Sequence, residues 1–402
     1  MIRYILKLFF LLNLIFILSW FLGREILPLR ETFLGRTVGE LVDQPLIWSR
    51  ANFDGVHYAK IACSGYGYLQ EAFFPLYPKV IKFFHPLFRS FVLSGVVVSL
   101  VFFFLSLVLL TKILEEEGEK KRVIKKTLLF LVLFPTSFFF ISVYTESLFL
   151  FLILLSFLLA KKKKWLWAGL IAGLASYTKL IGIFMLPALL HEYYSGESKR
   201  RMKERFLALR GNISSRMSFK YLAYLLKSRA GHIKNTIFIF FSSWGLFTYM
   251  GFLWETVRDP LYFIKVQPGF GAGRNINKVI MLYQVFWRYL KMIFTINVGE
   301  DPMYFTIWIE LLIALLFLAL LTVAWLKYKK LKLRVSWLIF SSLAYLLPTL
   351  TGTFSSMPRY VLVCFPCFLL LAKLKPSRYF YWLSGGLLLI CSFLFVRGYW
   401  IA

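Results

Sequence analysis

The sequence FVLSGVVVSLVFFFLSLVLLTK, residues 91–112, is an almost uninterrupted apolar stretch whose length decides the fold class. A helix needs about 20 apolar residues to cross the bilayer core, which is about 30 Å thick. Of the 402 residues, 59% are hydrophobic, and the mean hydropathy is +0.69. Similar runs recur, and no polar stretch is long enough for a large soluble domain. The sequence therefore predicts an all-α polytopic membrane protein, because helices satisfy their own backbone groups in lipid.

The apolar runs predict about eleven transmembrane helices in a single domain, residues 1–402. The first span, 5–22, is followed by LGREILP, a poor signal-peptidase site, and is interpreted as an uncleaved helix. Residues 278–297 carry Arg288 and Lys291 among apolar side chains and are interpreted as an interfacial helix. The remaining predicted spans are 91–112, 127–143, 146–160, 165–180, 181–194, 234–254, 303–326, 335–350, 359–373 and 379–398.

The formal net charge of +29 comes largely from basic clusters between the apolar runs, such as KKKK at 161–164 and KRRMKER at 199–205. Cytoplasmic loops of membrane proteins are enriched in Lys and Arg. A nucleic-acid-binding protein instead carries its basic residues as a patch on one folded face. The charge pattern therefore indicates membrane topology and argues against nucleic acid as a partner.

Placing the basic loops in the cytoplasm also places the N-terminus there. Residues 195–233 then form a basic cytoplasmic loop, whose Lys and Arg side chains attract anionic membrane lipids. Residues 23–90 form a large first extracytoplasmic loop with short interfacial helices. The predicted location is the plasma membrane if the protein is prokaryotic and the endoplasmic reticulum membrane if it is eukaryotic.

Residues 52–78, NFDGVHYAKIACSGYGYLQEAFFPLYP, concentrate polar chemistry in that extracytoplasmic loop. We expect Asn52 to cap a short helix over about 53–63. Asp54, His57 and Tyr58 then share one helix face through their i+3 and i+4 spacing. A second interpretation is structural: Asp54 favours the positive end of the helix dipole, and His57 is a solvated interfacial residue.

The pattern D-x-x-H-Y-x-x-I-A-x-x-G-Y, followed by A-F-F-P-L-Y-P, resembles the first luminal loop of the PIG-V mannosyltransferase family. Supporting segments occur in the same order, among them SVYTESLFLF at 142–151 and SMPRYVLVCFP at 356–366. Two positions depart from the family pattern, with Phe53 where Trp is common and Lys179 where Arg is frequent. The resemblance implies a GT-C-like bundle with its active site on the extracytoplasmic side. Eukaryotic members of the family add mannose to the growing GPI anchor.

The resemblance also implies inverting transfer of a hexose, mannose in the family, from a polyprenyl- or dolichyl-phosphate donor to a lipid or glycan acceptor. Such a reaction needs a base for the acceptor hydroxyl and positive charge for the leaving phosphate. Asp54 is the candidate general base, and His57 would orient it or bind the donor phosphate. Lys179 and Arg359 are the leading phosphate ligands, although Lys179 could instead extend to the interface and Arg359 could anchor a helix end.

Four further residues are secondary candidates for substrate binding. Arg50, Tyr58 and Gln267 are predicted to lie in or beside the outer loops. Glu146, at a membrane edge, is either a second acid or an ion-pair partner of Lys179.

The sequence predicts no metal site and no cofactor, and it leaves dependence on a divalent metal open. The C-x-x-C pair Cys364 and Cys367 lies inside a predicted span without a second ligand pair. Two alternatives to a transferase are a lipid or sugar transporter or flippase, and a non-catalytic assembly subunit of the same fold. Transporters commonly show inverted repeats, and no repeat is found here.

Overall fold

The computed structural model describes residues 1–30, 44–196, 231–271, 273–275, 278–296 and 303–401. This part of the chain is 80% helical and contains no strand. The helices are α1 Ile2–Ile26, α2 Pro45–Trp48, α3 Asp54–Ser64, α4 Leu76–Phe88, α5 Phe91–Glu116, α6 Lys121–Val132, α7 Glu146–Lys161, α8 Trp165–Ser176, α9 185–196, α10 Gly231–Val257, α11 Tyr262–Lys265, α12 Leu282–Thr295, α13 Met303–Leu331, α14 Val335–Thr349, α15 Met357–Tyr360, α16 Phe365–Leu374 and α17 Arg378–Val396.

Five of the described helices are long and apolar enough to cross a membrane: α1, α5, α10, α13 and α17. Residues Met357–Val363 and Phe365–Leu374 together form a sixth candidate, bent by 80°. The structure therefore supports a multi-pass helical membrane protein, but not the predicted count of about eleven spans. The difference arises because several apolar runs do not form single long helices.

The run at 127–143 illustrates such a break. Helix α6 ends at Val132, and the Ser137 hydroxyl donates to the carbonyl oxygens of Val132 and Phe134. Helices α7 and α8 contain 16 and 12 residues, so α8 is only about 18 Å long. Hydropathy alone does not report these breaks, because the residues between the helices are also largely apolar.

The helices pack in pairs around one large apolar core. Helix α5 packs against α7, α1 against α17, and α6 against α16. Helices α8 and α10 approach closely at two glycines: a Cβ atom on Gly245 would lie 2.1 Å from the carbonyl oxygen of Gly173. Small residues allow such backbone contact between membrane helices.

Short helices surround one end of the bundle. The predicted outer loop, 23–90, contains α2, α3 and α4, and its residues 31–43 lie outside the described residues. The segment predicted to be interfacial forms α12, whose 14 residues are too few to span and whose Tyr283, Trp287 and Phe294 are exposed.

The opposite end of the bundle carries an ion-pair network. The Arg334 guanidinium contacts Glu117 at 2.8 Å and also Glu192, while Lys161 contacts Glu117 at 2.6 Å. Most of the basic loop predicted at 195–233, residues 197–230, lies outside the described residues. Which end of the bundle faces the cytoplasm stays a prediction.

Candidate functional site

Helix α3 begins at Asp54, so the predicted helix and the position of Asp54 in its first turn are confirmed. The predicted capping role of Asn52 is wrong. The Asn52 side-chain amide instead donates to the Phe395 carbonyl oxygen at 2.7 Å, and the Asn52 carbonyl accepts from the Tyr144 hydroxyl at 2.7 Å. Asn52 therefore ties the start of α3 to α17 rather than closing the helix end.

Phe53, which lies between Asn52 and Asp54, has a φ of 59°. A residue with a bulky side chain rarely adopts a positive φ unless the surroundings hold it there. The Phe53 ring lies 5.0 Å from the Trp400 ring and 5.9 Å from the Phe395 ring, centroid to centroid. These contacts from the C-terminal segment fix the turn that presents Asp54.

Four charged side chains from distant parts of the sequence form a continuous chain of ion pairs. Arg359 Nη1 donates to Asp54 Oδ2 at 2.5 Å, and Arg359 Nε lies 3.2 Å from Glu146 Oε1. Lys179 Nζ donates to the same Glu146 oxygen at 2.6 Å. We call Asp54, Arg359, Glu146 and Lys179 the charge cluster; its formal charges cancel.

Burial increases from one end of the charge cluster to its middle. The Asp54 side chain is 17% exposed, Arg359 8%, Glu146 0% and Lys179 11%. Of the two carboxylate oxygens of Asp54, only Oδ2 forms a hydrogen bond with a described residue. The second carboxylate oxygen of Asp54 is therefore the atom of the charge cluster best placed to meet a ligand.

Aromatic rings and a short helix hold Arg359 in place. The Pro358 carbonyl at the start of α15 accepts from the Thr136 hydroxyl at 2.6 Å. The guanidinium carbon lies 5.3 Å from the Tyr144 ring centroid and 5.8 Å from that of Phe139. These electron-rich faces stabilise a cation away from water.

The electrostatics of Asp54 combine two opposing effects. Burial raises the pKa of its carboxyl group, but the charge and hydrogen bond of Arg359 oppose burial and leave the pKa below its usual value. His57 and Arg274 act in the same direction as Arg359. Asp54 is therefore ionised at neutral pH, and Arg359 is the main reason.

His57 lies on the same face of α3 but outside the ion pairs. Its ring stacks on Phe73 at 5.0 Å, and its Nδ1 is 3.4 Å from the Gln70 amide nitrogen. Burial lowers the pKa of His57, and the Asp54 charge only partly offsets this effect. His57 is thus neutral at pH 7 and contributes to the wall beside Asp54.

The other predicted binding residues occupy different positions. Tyr58 is buried against Phe73 and Tyr77, where its ring supports α3. Arg50 donates to the Ile141 carbonyl at 2.9 Å and lies outside the charge cluster. Gln267 accepts from Arg274 at 3.0 Å and has no contact with the charge cluster among the described residues.

Arg274, which belongs to the Gly-rich segment 269–275, was not among the residues predicted from the sequence. Besides Gln267, its guanidinium lies 3.5 Å from the Ser356 hydroxyl, just before α15. Within the described parts of the chain, no carboxylate lies within 4 Å of Arg274. The neighbouring Asn275 backbone N–H donates to the Thr351 carbonyl at 2.9 Å, which attaches this segment to the loop before α15.

A buried carboxylate near Arg274 was also missed. Glu310 on α13 accepts a short hydrogen bond from the Tyr289 hydroxyl, which is also 3.2 Å from Thr353. A single Glu inside a long apolar helix is a usable sequence signal, because intramembrane carboxylates commonly mark sites.

Groups of His, Cys, Asp and Glu side chains are the candidates for metal binding, and the C-x-x-C pair is the candidate for redox chemistry. No group of three or more His, Cys, Asp or Glu residues that could hold a metal ion occurs among the described residues. Cys364 and Cys367 are buried free thiols, and Cys364 Sγ contacts the Ser341 carbonyl at 3.6 Å.

Residues 78–209 match the model of Glycosyltransferase family 87. The matched segment covers less than half of the chain; it contains Glu146 and Lys179 but neither Asp54 nor Arg359. No curated protein and no solved structure matches the chain. The match supports a membrane protein of a glycosyltransferase family, whereas the PIG-V-like assignment stays a prediction.

Proposed function

We propose that this protein transfers a hexose, with mannose the first sugar to test, from a polyprenyl-phosphate donor to a lipid or glycan acceptor at the extracytoplasmic membrane surface. The observation that carries the proposal is Asp54: a carboxylate held by Arg359 through one oxygen, with its other oxygen free of hydrogen bonds among the described residues. The match to a glycosyltransferase family supports the reaction class.

Asp54 would act as the general base. As the acceptor oxygen bonds to the anomeric carbon, its proton passes to the free oxygen of Asp54. The bond between the anomeric carbon and the phosphate oxygen breaks, and the lipid phosphate leaves with the electron pair. One displacement of this kind inverts the anomeric configuration.

The pairing with Arg359 bears on the strength of this base. A carboxylate with a lowered pKa is a weak proton acceptor. A donor phosphate that hydrogen-bonds to Arg359 would share the guanidinium with Asp54. This sharing would weaken the ion pair between Arg359 and the Asp54 carboxylate. The pKa of Asp54 would then rise when the donor binds, so that the base becomes effective in the loaded site.

The remaining cations take different roles in this proposal. Lys179 forms an ion pair with Glu146 and would position that carboxylate, which in turn contacts Arg359. Among the described residues, the hydrogen-bond partners of Arg274 are neutral, and Arg274 would bind the donor phosphate from the outer side. Of the two phosphate ligands predicted from the sequence, this assignment keeps Arg359 and replaces Lys179 with Arg274.

The test is transfer by the purified full chain in lipid vesicles supplied with polyprenyl-phosphate [³H]mannose, or with the corresponding glucose donor, and total lipid extract. Appearance of label in a new lipid or glycan product with one of these donors supports the proposal. Movement of labelled donor across the vesicle membrane without product would instead support a transporter. No product and no movement, from protein that unfolds cooperatively, would support a non-catalytic subunit.

A further inference from the structure

A cavity lies between α1, α2 and α17, apart from the charge cluster. Its volume is about 380 Å³, and its walls include Trp20, Arg24, Trp48, Val396 and Arg397. Sites for small molecules typically measure about 300–1,000 Å³. The cavity is therefore large enough for a head group, and apolar side chains and two cations line it together.

The position of Arg397 follows from the packing of α1 on α17. Gly23 leaves room for the Arg397 side chain, since a Cβ atom there would lie 3.2 Å from Arg397 Cγ. Arg397 Nε then donates to the Leu27 carbonyl at 2.9 Å. The guanidinium is thus held across the end of α1 by a neutral partner.

Neither arginine has an acidic partner among the described residues. None of the described residues that line the cavity carries a carboxylate, and no ion pair of Arg24 or Arg397 occurs in the described part of the chain. Burial lowers the pKa of Arg397, and the neighbouring positive charge of Arg24 lowers it further. Two cations that destabilise each other in a shared cavity favour the binding of an anion.

The surroundings of the cavity indicate what else the anion carries. Phe21, Leu22 and Ile26 on the last turns of α1 are exposed, as expected for a helix surface in contact with lipid. The Trp20 and Trp48 rings provide amphipathic walls of the kind found at the level of lipid head groups.

We infer that this cavity binds a lipid-borne phosphate, with the phosphate oxygens accepting hydrogen bonds from Arg24 and Arg397 and the hydrocarbon chains lying along α1. Guanidinium groups match the geometry of phosphate oxygens. The site is separate from Asp54, and the inference holds whether or not the protein is a transferase.

The experiment measures the thermal midpoint of the purified full chain in non-ionic detergent during titration with dihexanoyl phosphatidylglycerol. We expect a saturable increase for the wild type. Arg24→Gln should raise the apparent Kd at least tenfold, and Arg24→Lys should retain most of the binding, since Lys also binds phosphate as a point charge. Arg24 makes no hydrogen bond among the described residues, so its substitution should leave folding intact.

Arg378→Gln provides the matched control, because Arg378 is exposed at the opposite end of α17 and should leave the Kd unchanged. Equal Kd values for the wild type and Arg24→Gln would overturn the inference. Saturation by inorganic phosphate at the same concentration would assign the cavity to a free ion rather than a lipid. Equal binding of dihexanoyl phosphatidylcholine by the wild type and Arg24→Gln would show that only the apolar walls bind.

Discussion

Arg359 donates to Asp54 at 2.5 Å although 305 positions separate the two residues in the sequence. The contact joins the start of α3 to the short helix α15, two elements that each follow a residue with positive φ, Phe53 and Ser356. Because Glu146 and Lys179 continue the same chain of ion pairs, sequence segments spread over most of the protein meet at one place.

The first prediction concerns the coupling of Asp54 and Arg359. Asp54→Asn leaves an excess buried positive charge, and Arg359→Gln leaves an excess negative charge. Breaking a buried ion pair costs about 3–5 kcal/mol, and the partial exposure of Asp54 reduces this cost. The double variant restores neutrality, so we expect it to be more stable than the sum of the single effects by about 1–3 kcal/mol.

The measurement is the free energy of unfolding of the four proteins in the same detergent. Asp259→Asn serves as a control, because Asp259 pairs with Lys265 at the protein surface, far from the charge cluster in sequence. Strict additivity of Asp54→Asn and Arg359→Gln would contradict the ion pair.

The second prediction concerns Lys179. Lys179→Met should lower both the thermal midpoint and turnover, because Glu146 loses its closest cation and draws Arg359 away from Asp54. Lys179→Arg should retain most of both, since it keeps the charge. The double variant Glu146→Gln/Lys179→Met should regain part of the midpoint. Equal losses in Lys179→Met and Lys179→Arg would indicate that Lys179 acts through packing instead.

The third prediction separates donor binding from chemistry. Arg274→Gln should raise the KM for the polyprenyl-phosphate donor about tenfold, the effect of losing roughly one charge-assisted hydrogen bond, with kcat little changed. Lys265→Gln is the matched control, because that side chain is 61% exposed and pairs only with Asp259 in the residues described. A fall in kcat at constant KM would remove Arg274 from the donor site.

The fourth prediction uses the native cysteines to test orientation. Cys63 at the end of α3 is exposed, whereas Cys364, Cys367 and Cys391 are buried. A membrane-impermeant maleimide applied to intact cells should therefore label the wild type once and leave Cys63→Ser unlabelled.

Lys162→Cys, introduced into Cys63→Ser, should stay unlabelled in intact cells and react after permeabilisation, because residue 162 is exposed in the predicted cytoplasmic loop. Labelling at 162 without permeabilisation would reverse the predicted topology.

Local features of the site could be predicted from the sequence, whereas its long-range contacts could not. The helical spacing correctly predicts that Asp54, His57 and Tyr58 lie on one helix, α3. The sequence also offers Glu146 as one possible ion-pair partner of Lys179, and the structure contains this ion pair. The pairing of Arg359 with Asp54 depends on the packing of α15 against the core, which no local pattern encodes.

The span count failed for a related physical reason. At the helix break after Val132, side-chain hydrogen bonds satisfy the free backbone carbonyls within an apolar sequence. A hydropathy profile therefore does not show where the helix ends. The capping prediction for Asn52 failed because a tertiary partner, the Phe395 carbonyl, takes its side-chain amide. Arg274 was missed because a Gly-rich loop shows no periodicity that would indicate where its side chains lie.

The most direct test of the account is transfer of radiolabelled hexose by Asp54→Asn, with Asp259→Asn as the control for loss of an acidic group outside the charge cluster. We predict that Asp54→Asn lowers the transfer rate by about 10²–10⁴-fold, the typical contribution of a general base, while Asp259→Asn retains wild-type transfer. The comparison uses protein that still unfolds cooperatively. Near wild-type transfer by folded Asp54→Asn, with the same product, would contradict the assignment of Asp54 as the catalytic base.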